Sequence, residues 1–92
     1  MPSRALELAR LSLSIERLID AELLLTEEGE KLLEEIEAAC HSLETSDFQG
    51  IEQHITQLLC DLRTLMRTDR LPAAEGQMAA EAAGCILNPP AD

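Results

Sequence analysis

One apolar pattern occurs twice in this chain, 47 positions apart and without a gap. Leu8, Leu11, Ile15, Leu18 and Ile19 fall on Ile55, Leu58, Leu62, Leu65 and Met66. Leu24 falls on Leu71, and Glu28-Gly29 falls on Glu75-Gly76. Leu32, Leu33, Ala39 and Cys40 fall on Ala79, Ala80, Ile86 and Leu87. Within each copy the apolar residues recur at the three- and four-residue steps of an amphipathic helix, in two stripes around a short connector. The pattern predicts two helix-turn-helix units packed as a pseudo-symmetric pair. The fold class is all-α, a four-helix bundle of two αα-hairpins.

Composition supports that reading. The chain has a single Phe, no Tyr or Trp and no Val. Its core must come from Leu, Ile, Ala and Met, which favour helices over strands. At 92 residues one domain is the limit, placed at residues 1–87 with a tail at 88–92. A net charge of −11 argues against direct nucleic-acid binding, which needs a basic footprint, and against anionic membrane surfaces. No apolar run is long enough to insert in a membrane. Glu7, Arg10 and Glu16 interrupt any apolar signal core near the start. Cys40, Cys60 and Cys85 are odd in number and form no C-x-x-C, as expected of reduced thiols. The expected setting is cytoplasmic.

Helix 1 is expected at about residues 4–21, with Ser3 as N-cap. Helix 2 is expected at 27–44, capped by Thr26, with Glu27 and Glu28 in its first turn. Ser46 and Gln49 have capping-box spacing ahead of helix 3, at 47–67. Phe48, Ile55 and Leu62 belong to the broad apolar stripe of that helix, an arc that four short helices do not obviously cover. Pro72 suits the first position of helix 4, at 72–87, and Asn88-Pro89-Pro90 ends it. Gly29 and Gly76 each cost a helix about 0.5–1 kcal/mol relative to Ala, so their recurrence predicts a structural role in close backbone packing. A helix end crossing the connector of the other unit would supply it.

Few residues point to chemistry. His41 and His54 could join Cys40, Cys60 or Glu37 around a metal, with Glu37 about opposite His54 in a helix 2–helix 3 hairpin. No ligand spacing of the H-x-x-x-H or E-x-x-H kind supports this. Cys40 and His41 are adjacent in a helix and diverge by about 100°. No catalytic, metal or cofactor residues are assigned, and no enzyme is expected. The acids Glu27, Glu28, Glu30, Glu34, Glu35 and Glu37 cluster within helix 2. Solvation alone explains such a face; the functional alternative is docking of a basic partner. Within that reading Glu27, Glu30, Glu34 and Glu37 are the candidate contacts on helix 2. Met78, Ala79 and Ala83 are those on the small-residue face of helix 4, the least secure helix or one completed by a partner.

The segment from about Ser14 to Leu87 resembles the FIMAH domain, a small four-helix module. Leu18-Ile19 and the connector Leu24-Leu25-Thr26-Glu27-Glu28-Gly29 carry the likeness. So do Leu32-Leu33, Ile36, Ala38-Ala39, Leu43-Glu44, Asp47-Phe48, Gln57-Leu58 and Leu71-Pro72-Ala73-Ala74-Glu75-Gly76. That family sits at the C-terminal end of larger secreted or surface proteins, whereas this chain carries three cysteines and no signal core. The resemblance implies an accessory or interaction module and carries over no catalytic residue. The function expected is a small acidic module that binds another protein, or itself as a homodimer. The alternative is an acidic nucleic-acid mimic that inhibits a basic partner protein.

Overall fold

The computed structural model describes residues 4–87. The chain folds as four helices: α1 (Arg4–Asp20), α2 (Thr26–Glu44), α3 (Phe48–Arg67) and α4 (Ala73–Leu87). No strand occurs among the described residues. Each helix packs on two neighbours, α1 on α2 and α4, and α3 on α2 and α4, so the bundle closes as a ring. The expected Ser3 cap and the Asn88-Pro89-Pro90 stop lie outside the described residues.

The apolar stripes of the sequence form one core. Leu8, Leu11 and Ile15 of α1 face Ile55, Leu58 and Leu62 of α3, all fully buried. Leu32, Ile36 and Ala39 of α2 and Ala79, Ala83 and Ile86 of α4 complete it, with Leu24 and Leu71 tucked in from the connectors. Burying each leucine or isoleucine contributes about 1.5–3 kcal/mol. The apolar arc of α3 is covered by its neighbours except at its start, where Phe48 remains 59% exposed. Its ring instead takes the Arg4 guanidinium at 5.5 Å from the centroid, and Arg4 Nε donates to the carbonyl of Ile86 at 3.2 Å. That clasp ties the ends of α1, α3 and α4 together.

The repeat extends to individual backbone hydrogen bonds. At the end of α1, Glu22 N–H donates to Ile19 O and Leu23 N–H to Leu18 O. At the end of α3, Asp69 N–H donates to Met66 O and Arg70 N–H to Leu65 O, the same pair shifted by 47. Both are Schellman closures, with Glu22 (φ 61°) and Asp69 (φ 59°) in the left-handed position usually held by glycine. The turn between α2 and α3 uses the motif a third time. There Ser46 (φ 57°) donates to Leu43 O and Asp47 to Ser42 O.

The helix starts differ from expectation in an instructive way. Thr26 is the first helical residue rather than the cap; Leu25 holds the cap position with φ −64° and ψ 143° and offers no side-chain acceptor. Pro72, its counterpart, likewise precedes α4. In both units the carbonyl at this position accepts from the glycine four residues on, Gly29 or Gly76. A φ of −64° is the value a proline ring imposes, so leucine and proline serve one geometry. At α3 the cap is Asp47, whose Oδ1 accepts from Gly50 N–H at 3.0 Å. Ser46 is left-handed and cannot act as the capping-box residue.

Gly29 and Gly76 are buried, but each meets its own unit rather than the other one. A Cβ on Gly29 would overlap Ile19, and one on Gly76 would overlap Met66. Ile19 and Met66 are themselves repeat equivalents. The glycine lets the start of the second helix close onto the end of the first, which sets the crossing of each hairpin.

Candidate functional site

The candidate contacts divide between surface and core. Glu27, Glu30, Glu34 and Glu37 are all exposed and share one outer face of α2. None of the four forms an ion pair among the described residues. Met78 is 67% exposed, whereas Ala79 and Ala83 lie in the core at 4% and 0%. Those two alanines replace Leu32 and Ile36 of the first unit and face inward, so in this monomer they are closed to a partner.

The residues expected to do chemistry are scattered. His41 and Cys60 are exposed, His54 and Cys40 half-buried. No group of three or more metal-ligating side chains converges among the described residues. Burial pushes the Cys40 thiol up, and the charges of Glu44 and Glu37 push it the same way. A thiol held protonated is a poor nucleophile.

A groove of about 360 Å³ between α2 and α3 gathers groups that the sequence reading did not bring together. Glu28, Lys31 and Leu32 line it from α2, Asp61, Thr64 and Leu65 from α3, and Thr68 and Arg70 from the following connector. Arg70 pairs with Glu28, and Lys31 Nζ stands 3.8 Å from Asp61 Oδ1. Gln57 donates to the same Asp61 oxygen at 3.2 Å.

Glu35 meets Asp61 across the seam. Two carboxyl groups can hydrogen-bond only when one of them is protonated. Glu35 Oε2 and Asp61 Oδ2 are both buried and find no hydrogen-bond partner among the described residues. Burial chiefly, then the hydrogen bond and the negative charge of Asp61, push the Glu35 carboxyl up to about 8, against the pull of Lys31. At neutral pH Glu35 therefore holds its proton. The signal for this pair was available in the hairpin register. Glu35 flanks Leu32 and Ile36 on the stripe edge of α2, and Asp61 flanks Leu62 on α3.

The described helices include none long and apolar enough to cross a membrane. No family model matches the chain, and neither the curated proteins nor the solved structures contain a match.

Proposed function

We propose that this chain is a small acidic protein–protein interaction module with no catalytic role, docking through the outer face of α2. The observation that carries the reading is the row Glu27, Glu30, Glu34 and Glu37. These four carboxylates are exposed, share one face and form no ion pair among the described residues. A surface of one sign raises encounter rates and orients a partner of the opposite sign. The resemblance to an accessory module supports the same reading.

Reversing charge at Glu30, Glu34 and Glu37 should abolish capture of the partner from a native lysate while leaving helicity unchanged. Capture that survives the triple reversal would reduce the face to solvation. A nucleic-acid-mimicking inhibitor is the second reading, favoured by the net charge of −11. It predicts that the captured protein is itself a nucleic-acid binder and that duplex DNA displaces it.

A further inference from the structure

The two hairpins meet along two seams, α2–α3 and α1–α4, which the 47-residue repeat makes equivalent. The α2–α3 seam is closed by charge. Glu28 pairs with Arg70, Lys31 with Asp61, and Gln57 donates to Asp61. The repeat carries the first pair onto Glu75 and Leu23, the second onto Met78 and Ser14, and Gln57 onto Arg10. Thr64, which lines the α2–α3 groove, becomes Arg17. Each ion pair of one seam has thus lost its cation in the other, and no ion pair bridges α1 and α4 among the described residues.

The contacts within each hairpin fix what faces this second seam. Ile19 packs on Gly29 of α2. At about 100° per residue, Leu6, Arg10, Leu13 and Arg17 stand about 120–180° around α1 from Ile19, on the side of its other neighbour, α4. Met66 packs on Gly76, and Met78 stands about 160° around α4 from that contact, on the side of α1. Leu6, Leu13, Leu23 and Met78 keep 49%, 47%, 41% and 67% of their surface in water. They are four of the six large apolar side chains left exposed among the described residues, and they gather along one edge of the bundle. The two arginines lie among them. Arg17 makes no ion pair among the described residues, and Arg10 only a loose i,i+3 pair with Glu7 at 3.7 Å. On α3 the positions equivalent to Leu6, Arg10, Leu13 and Arg17 are Gln53, Gln57, Cys60 and Thr64, so the fold requires neither the leucines nor the arginines.

We infer that the α1–α4 edge docks an amphipathic helix of a partner protein, one that carries acidic side chains beside its apolar stripe. Leu6 and Leu13 are two helical turns apart, ~10.5 Å, as are Arg10 and Arg17. A helix laid along the seam presents its own side chains at that interval, the spacing of helix-in-groove recognition. The leucines and Met78 take the apolar stripe. Charge selects the partner: an acidic helix gives Arg10 and Arg17 the carboxylates that α4 does not supply, whereas a neutral or basic one would desolvate them without a counter-charge. This site goes beyond the α2 reading. It lies on another edge of the bundle and takes a partner of the opposite sign.

The test uses two helical peptides of about 18 residues, long enough to run the length of α1 at ~1.5 Å per residue. Both place leucine at three- and four-residue steps on an alanine background; one carries glutamate beside the leucines, the other lysine. Titrated into the wild-type protein, the Leu/Glu peptide shifts the backbone amides of Leu6 to Arg17 and those around Met78, and binds more weakly as salt is raised. The Leu/Lys peptide leaves that edge unshifted, whatever it does at Glu27 to Glu37, so each reading fails or holds separately. L6Q/R10Q/R17T, which installs the residues of the equivalent α3 positions, weakens the Leu/Glu peptide by about tenfold or more, because both the apolar contact and the charge pairs are lost. R10K/R17K keeps most of the affinity. All these side chains are exposed, and far-UV circular dichroism confirms unchanged helicity. The inference is overturned by a Leu/Glu peptide that does not bind at millimolar concentration, by shifts centred elsewhere, by undiminished binding to L6Q/R10Q/R17T, or by a Leu/Lys peptide that binds this edge as well. A wild type that dimerises through these same residues gives the edge to a second copy and overturns it too.

Discussion

Replacing each glycine by alanine should change stability in a way set by what its new Cβ meets. Gly84 lies within α4 and nothing comes within 4 Å of an added Cβ. Gly84→Ala therefore recovers only the intrinsic helix preference, a gain of about 0.8–1 kcal/mol. Gly29 offers the same gain, but its Cβ would sit inside 3.0 Å of Ile19 Cδ1 and Cγ1. Isoleucine in a helix is held in one χ1 rotamer, so Ile19 cannot swing aside. Overpacking of this kind costs about 1–3 kcal/mol, which after the helix gain leaves Gly29→Ala destabilising by about 0–2 kcal/mol. Gly76 presents the same overlap with the Sδ and Cγ of Met66. A flexible thioether adjusts more readily, so Gly76→Ala should be close to neutral. At Gly50 the Cβ would crowd both Asp47 Oδ2 and Ser42 Oγ and disturb the α3 cap, a loss of about 0.5–2 kcal/mol. Thermal and urea unfolding followed at 222 nm resolve these differences, since 1 kcal/mol moves the midpoint of a domain this size by roughly 4–8 °C. A Gly29→Ala variant as stable as Gly84→Ala would refute the claim that the hairpin crossing depends on the Gly29–Ile19 approach.

Three further outcomes follow from the helix ends and the α2–α3 seam. Asp69→Gly, at a left-handed position, should stabilise by about 1 kcal/mol by relieving a non-glycine residue of φ 59°; calorimetry showing a loss would contradict the Schellman assignment. Leu25→Pro should stabilise by about 0.4–1 kcal/mol, because φ is already −64° and the position tolerates Pro72 in the other unit; a drop in melting temperature would refute that equivalence. The third concerns Glu35, whose carboxyl ionises near 8 when folded and near 4.5 when unfolded. Between those values the folded state binds the extra proton, so its contribution falls as pH rises through that window and levels off above 8. Glu35→Gln removes this slope, and its stability relative to wild type should rise between pH 5 and about 8. Parallel curves for the two proteins would show that Glu35 is not protonated in the fold.

The helices and their core were legible because one pattern, repeated, fixes both register and connector length. Leu8, Ile15, Ile55 and Leu62 occupy the core positions their spacing implies. The helix ends were harder to read. Glu22, Ser46 and Asp69 carry no glycine signature, and backbone hydrogen bonding holds them left-handed despite the steric cost. Ser46 and Asp47 are adjacent potential caps, and only the turn geometry decides in favour of Asp47. Ala79 and Ala83 read as an open small-residue face because composition does not show how closely α4 approaches the core. Glu35 and Asp61 were hidden for another reason. Their pairing lies 26 positions apart in sequence and becomes visible only once α2 and α3 are set in register.

The proposed docking surface of this protein is the outer face of α2, and backbone amide shifts on addition of a basic polypeptide test that assignment most directly. On titration with polylysine, shifts should change along the outer face of α2, at Glu27 to Glu37. The equivalent positions from Ala74 to Gly84 should stay still. Changes centred on α3 and α4, or equal changes in both units, would contradict it.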